Sequence, residues 1–208
     1  MSLRVKVIRK KQYKISRWSG GTTTELYIYP EGSLYCNRNF KWRLSSAKVK
    51  AEKSTFTSLP GINRLIMIIK GELFLNHEGH HNSLIKEFEQ DRFSGDWTTT
   101  SCGKVTDFNL MMAQGCNGKL EAILINRGES KDILLFNNLQ AEEYHKSTEA
   151  FYMVNGNVEI VTGAEEKINL NDGDLALVNV INEEEKSIIK LCNCPNGDAK
   201  VIRTSIYY

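Results

Sequence analysis

Several ionic side chains sit inside stretches that are otherwise apolar. In Trp42-Arg43-Leu44-Ser45, strand alternation places Arg43 and Ser45 on one face. In Asp107-Phe108-Asn109-Leu110-Met111 it places Asp107 and Asn109 on one face and Phe108 and Leu110 on the other. Arg64 opens the apolar run Leu65-Ile66-Met67-Ile68-Ile69, so Ile66 and Ile68 share its face. Trp18, Thr23 and Glu25 belong to a Gly-rich segment, Trp18-Ser19-Gly20-Gly21-Thr22-Thr23-Thr24-Glu25, that ends on a strand. Charged groups embedded in apolar strands need partners. Arg43 and Arg64 with Glu25, Asp96 and Asp107 either satisfy one another or hold a ligand. A guanidinium fork suits a carboxylate. The ligand reading has Arg64 clamping a small carboxylate with help from Arg43. Glu25, Asp107 and Asn109 then orient the arginines or accept from a ligand amino or imidazole group, and Trp18 covers the opening.

Other chemistry is poorly represented. His77, His80 and His81 surround a Gly turn and read as polar residues of an exposed loop tip. Glu143, His145 and Glu149 are three ligand types at short spacing, but they read as ordinary charges of a surface strand. The cysteines are single, except Cys192 and Cys194, and lack the pairing of a zinc site. No Gly-x-Ser-x-Gly, phosphate loop or dinucleotide motif occurs, so no cofactor is expected. With 27 basic and 25 acidic residues the formal charge is +2, which leaves no nucleic-acid footprint. No run approaches the roughly 18 apolar residues of a membrane span. Met1–Ile15 lacks the apolar core of a signal peptide, so the expectation is a cytoplasmic protein.

The elements that must position these residues are strands. Val5–Arg9, Thr22–Tyr29, Phe40–Val49, Leu65–Asn76, Val105–Met112, Leu120–Asn126 and Lys200–Tyr207 are rich in β-branched and aromatic residues, with Gly, Asn and Asp between such runs. The best helical candidate is short, Ser83–Gln90. Two segments share a layout. Arg64, six mostly apolar residues and Gly71 are followed by Gly95-Asp96; Glu149, six mostly apolar residues and Gly156 are followed by Gly173-Asp174. A duplicated unit of this size matches a jelly-roll barrel of the kind cupins use. The expected fold is therefore all-β: two tandem cupin-type barrels with little helix, a bicupin. Residues 1–127 hold the pocket and 128–208 pack against them, with the seam near Arg127–Lys131.

A cupin motif normally supplies two histidines and a glutamate to a metal. Here Arg64 stands at the glutamate position and Thr57-Ser58-Leu59-Pro60 at the histidines, so no metal is expected there. The set Trp18-x-Gly-Gly-x-Thr23-x-Glu25, Phe40-x-Trp42-Arg43-Leu44-Ser45, Phe56-x-x-x-Pro60-Gly61-x-x-Arg64, Phe93-x-Gly95-Asp96 and Asp107-Phe108-Asn109-Leu110-Met111 resembles the HutD/Ves family. The resemblance implies an RmlC-like bicupin with no metal in the first barrel. It also implies a link to histidine-utilisation operons through binding of a histidine breakdown product, and brings no established catalysis. The expected partner is a small anionic metabolite, with a homodimer left open. The rivals are a metal-free lyase or isomerase with Glu25 or Asp107 as base, and a protein-interaction module with a sealed barrel.

Overall fold

The computed structural model describes residues 3–135, 144–180, 187–193 and 197–208. The chain divides into two compact units. One is continuous, Tyr13–Cys116; the other joins Met1–Gln12 to Asn117–Tyr208 and is split in sequence. The division differs from the seam expected near Arg127–Lys131. The cause is β1 (Leu3–Ile8), which pairs antiparallel with the strand Leu175–Val180, Val5 opposite Val178. Residues 117–125 also belong to the split unit, through pairing with the last strand.

The continuous unit contains β2 (Lys14–Trp18), β3 (Gly21–Tyr29), β4 (Trp42–Val49), β5 (Lys53–Thr55), β6 (Ile62–Lys70), β7 (Leu73–His77), β8 (Asn82–Ile85), β9 (Gln90–Ser94), β10 (Thr99–Cys102) and β11 (Thr106–Ala113). They form one sheet of order β2-β3-β4-β11-β6-β9 and a second of order β5-β10-β7-β8. Between the sheets, Ile66 and Ile68 of β6 meet Leu73 and Leu75 of β7, Ile85 of β8 and Phe93 of β9. Burying each such side chain contributes roughly 1.5–3 kcal/mol.

The split unit adds β12 (Asn117–Ile125), β13 (Ser130–Leu135), β14 (Ser147–Asn155), β15 (Asn157–Val161), β16 (Lys167–Asn171), β17 (Leu175–Val180), β18 (Ser187–Asn193) and β19 (Ala199–Tyr207). Its sheets run β1-β17-β14-β19-β12 and β13-β18-β15-β16. Phe151, Met153, Val178 and Val201 of the first pack on Ile133, Ile160, Leu170, Ile189 and Leu191 of the second. Every sheet has two ends, so each unit is a sandwich of open sheets where the sequence reading expects a closed barrel. Among the described residues the helical content is two short 3-10 turns, Lys10–Gln12 and Tyr35–Asn37. No helix among them is long and apolar enough to cross a membrane.

The two units share a sheet order, β4-β11-β6-β9 in one and β12-β19-β14-β17 in the other, but the sequence repeat falls in a different register than expected. Gly71 joins β6 to β7 with φ +98°, and Gly156 joins β14 to β15 with φ +89°. These turns correspond. The Gly-Asp pairs do not: Gly95-Asp96 follows β9, whereas Gly173-Asp174 precedes β17. The counterpart of Gly173-Asp174 is Phe88-Glu89. Phe88 has φ +64° and Gly173 φ +81°. Phe88 N–H donates to Ile68 O at 2.7 Å, and Gly173 N–H donates to Met153 O at 2.8 Å. Glu89 and Asp174 each accept from the backbone N–H three residues back, Lys86 and Asn171. The helical candidate Ser83–Gln90 is this turn with the end of β8 and the start of β9.

The corresponding glycines are sterically constrained. A Cβ on Gly71 would lie 2.7 Å from Lys104 O, and one on Gly156 3.1 Å from Asp198 O. Both also occupy a backbone region that disfavours L side chains. Gly71→Ala and Gly156→Ala should each lower unfolding free energy by about 2–3 kcal/mol, with Gly71→Ala the worse. Gly79→Ala, whose Cβ meets nothing within 4 Å, should cost only about 1 kcal/mol. Urea denaturation of the three variants checks this order.

Candidate functional site

The site follows from antiparallel register. Across β4, β11 and β6, Arg43 lies opposite Met111, and Met111 opposite Arg64. One step along, Ser45, Asn109 and Ile66 align; the next row is Ala47, Asp107 and Ile68. β3 places Glu25 opposite Ser45 and Thr23 opposite Ala47. Opposed residues share a face, so two cations, a hydroxyl, an amide and a carboxylate enter the same space between the sheets. That space is a cavity of about 290 Å³. Trp18, Thr23, Arg43, Ser45, Arg64, Asp107 and Asn109 all line it. Glu25 does not: it stands behind Arg43, its Oε2 accepting from Arg43 Nε at 2.8 Å.

The two arginines differ in how they are satisfied. Arg43 has the Glu25 ion pair, a 3.1 Å hydrogen bond from Nη1 to Ser45 Oγ, and the Tyr35 ring 4.5 Å from its Cζ. Arg64 is 5% exposed and has no carboxylate oxygen within 4.0 Å among the described residues. Its one hydrogen bond runs from Nη2 to the neutral Asn109 Oδ1 at 3.0 Å. Its buried Nε has no partner. Phe56 and Phe93 lie 4.7 and 4.9 Å from its Cζ, supplying cation–π contact but no neutralising charge. Burial pulls its pKa down to about 10, so it stays a cation at neutral pH.

Asn109 links Arg64 to Asp107. Its Nδ2 donates to Asp107 Oδ1 at 3.1 Å, and Ala47 N–H donates to the same oxygen at 3.0 Å. Asp107 Oδ2 takes no hydrogen bond from the described residues. Burial pushes the Asp107 carboxyl up to about 6, against the opposing hydrogen bonds and the Arg64 charge. The site can therefore receive an anion at Arg64 and offer an oxygen that accepts or carries a proton beside it.

The walls of the site leave little trace in the sequence. Phe56 and Phe93 stand in the sequence motifs, but nothing there announces that their rings lie over Arg64. Tyr35 comes from a 3-10 turn that no alternation announces. Asp96 is absent from the site: its Oδ2 accepts from Gly61 N–H and Ser94 Oγ at an exposed turn. Of the three loop histidines, His77 is buried rather than exposed.

The corresponding place in the split unit carries the opposite charge pattern. Glu149 stands where Arg64 does, and Arg203, opposite Phe151, where Asn109 stands opposite Ile66. Glu149 is buried, not the surface charge expected. Its Oε2 accepts from Arg203 Nε at 2.8 Å and from Ser205 Oγ at 2.9 Å. Arg203 Nη2 donates to Leu134 O at 2.7 Å. Burial raises the Glu149 pKa, and the Arg203 bond opposes it. His145 is exposed and does not join Glu149; Glu143 lies outside the described residues.

A family model described as HutD matches residues 10–190. A conserved protein of unknown function from Pseudomonas aeruginosa PAO1 superposes with TM-score 0.80 at 21% identity, over 98% of each chain. HutD from Pseudomonas fluorescens SBW25 superposes with TM-score 0.69 at 22% identity, over 97% of this chain and 98% of that one. A serine-to-alanine mutant of Bacillus subtilis oxalate decarboxylase OxdC reaches TM-score 0.69 at 8% identity, over 95% of this chain and 76% of that one. At these identities the structural likeness shows the fold, which is cupin-like and all-β.

The two charge patterns should respond differently to loss of the arginine. Arg203→Met leaves the buried Glu149 unpaired and should lower stability by about 3–5 kcal/mol. Arg64→Met strands no carboxylate and should change stability by less than about 1.5 kcal/mol. Equal and large losses in urea titrations of both variants would make Arg64 a structural cation.

Proposed function

We propose that this chain, which belongs to the HutD family, is a tandem cupin of the cytoplasm whose continuous unit binds a small carboxylate between its sheets. In this reading it senses that metabolite or regulates a process in response to it, with a link to histidine utilisation. The observation that carries the reading is Arg64. A buried guanidinium with one hydrogen bond to a neutral amide, an unpartnered Nε and no carboxylate in reach among the described residues is costly by itself. A ligand carboxylate supplies both the charge and the missing acceptor. Charge-assisted hydrogen bonds of this kind are worth roughly 1.5–3 kcal/mol each. Arg43, held in place by Glu25, offers a second cation two strands away. Trp18 lines the cavity while remaining 39% exposed, which suits a cover over its mouth. A cavity of about 290 Å³ favours a small metabolite over the sealed interaction module.

A second reading rests on Asp107. A carboxylate with a free oxygen and a pKa of about 6 beside a buried cation suits a general base, with Arg64 stabilising negative charge. In that case the ligand is a substrate of a metal-free lyase or isomerase. Recovery of the bound compound unchanged after prolonged incubation with the protein, followed by NMR, excludes it for that compound.

Calorimetric titration with formate, urocanate and formiminoglutamate tests the binding reading. The HutD structure from Pseudomonas fluorescens was obtained in a formate condition, which makes formate a natural first probe. At least one of these should bind saturably, and Arg64→Met should abolish that binding in a protein that still melts cooperatively. Asp107 sets the pH dependence. Its folded pKa of about 6 lies above the ordinary value of 3.8, so its ionisation removes stability as pH rises between the two. A bound anion raises that pKa further, so binding takes up a proton. Affinity should strengthen by up to about tenfold from about pH 7.5 to about pH 5.5, and Asp107→Asn should flatten the profile. Full-strength binding by Arg64→Met would end the clamp idea.

A further inference from the structure

A second polar cluster lies at the His77 hairpin of the continuous unit. In β7 the residues Leu73, Leu75 and His77 all face inward, by the two-residue period, and the His77 side chain is fully buried. The turn that follows is tightly made. His80 N–H donates to His77 O and His77 N–H to His81 O, both at 3.0 Å. His77 and His81 are thus opposed across the hairpin, and opposed residues project from the same face. Asp91 arrives from the other sheet, on β9 opposite Ile66. Its Oδ2 lies 3.0 Å from His77 Nε2, and its two oxygens lie 3.1 and 3.2 Å from His81 Nε2.

From this convergence we propose that His77, His81 and Asp91 form a binding site for a divalent transition-metal ion of the zinc class. The three donor atoms already lie within 4.8 Å of one another. Ligands that share a tetrahedral zinc with bonds of about 2.0–2.1 Å stand roughly 3.3 Å apart. The two imidazole–carboxylate separations need to open by only a few tenths of an ångström, and the imidazole nitrogens already lie within 4.8 Å of each other. Two imidazoles and a carboxylate are a borderline-soft N/O set that suits zinc, cobalt or nickel better than calcium or magnesium. Three protein ligands leave the fourth position for water. The His81 side chain is 40% exposed, which gives the ion an entry side.

The surroundings orient the ligands. Thr99 Oγ1 lies 2.8 Å from His77 Nδ1, which holds the ring so that Nε2 is the nitrogen offered to the ion. Thr99 is buried, so this contact is fixed. His80 stacks on Trp97 with ring centroids 3.8 Å apart. That stacking turns it into a wall beside the cluster and leaves His77 and His81 as the ligating pair. Because β7 and β9 belong to different sheets, the ion would join the two layers of the sandwich at this end. It uses none of the cavity residues and stands or falls separately from carboxylate binding.

The test uses the full chain without a histidine tag, stripped with chelator. Competition with a chromophoric chelator should give one zinc per chain, and cobalt should give the visible absorption of a four-coordinate site. Zinc should raise the melting temperature, as any ligand specific to the folded state does. His81→Ala removes an exposed ligand and should fold normally. It should weaken zinc binding at least about 100-fold and lose the thermal shift. Asp91→Asn should do the same, and His80→Ala should bind as the parent does. Zinc binding weaker than millimolar in the parent, or undiminished in His81→Ala, would overturn the site.

Discussion

The register of β4, β11 and β6 leaves little choice about what meets inside the continuous unit. Neighbouring strands stand about 4.8 Å apart and opposed side chains share a face. The alignment of Arg43, Met111 and Arg64 therefore sets two cations about two strand spacings apart with a thioether between them. A slip of β6 by one residue would replace Arg64 with Leu65 and turn the apolar floor of Ile66 and Ile68 outward. The burial of those isoleucines, at 0% exposure each, thus holds the guanidinium in place. Core packing and site geometry are the same constraint seen from two ends of one strand.

The two units show what that constraint permits. In the split unit the lattice holds an acid on the β6-like strand and an arginine on the β11-like strand, and they neutralise each other. In the continuous unit the arginine has moved to the first position and an amide fills the second. Among the described residues no carboxylate completes that pair. In the proposed reading, a diffusible carboxylate takes in one sandwich the role that Glu149 takes in the other. The Phe93 ring also borders the His77–His81–Asp91 cluster, lying 4.9 Å from the Arg64 Cζ and 4.7 Å from the His77 ring centroid.

Alternation made the site faces legible. Arg43 with Ser45, and Asp107 with Asn109, needed nothing beyond the period of a strand. The duplicated turn at Gly71 and Gly156 was legible too, because a positive φ selects glycine. Its companion was not, because the equivalent of Gly173 is Phe88, a residue type that almost never adopts that backbone. The spacing held the clue: Phe88 and Gly173 are separated by the same number of residues as Gly71 and Gly156, and Gly95 and Gly173 are not. His77 was read as a loop tip although Leu73, Leu75 and His77 already formed a period-two series. The pairing of β1 with β17 leaves no local trace, since an edge strand looks alike whichever sheet accepts it.

That pairing bears on the order in which the chain can be assembled on the ribosome. Ile8 finds its partner only when Leu175 has been made. At ordinary rates of synthesis the wait is roughly 8–30 s. Over that interval β1 is an emerged strand with an apolar stripe and no sheet to join, while residues 13–116 have everything their own sandwich requires. Its basic residues, Arg4 and Lys6 on the strand with Arg9, Lys10 and Lys11 just beyond, are of the kind that disfavours edge-to-edge association of an unpaired strand.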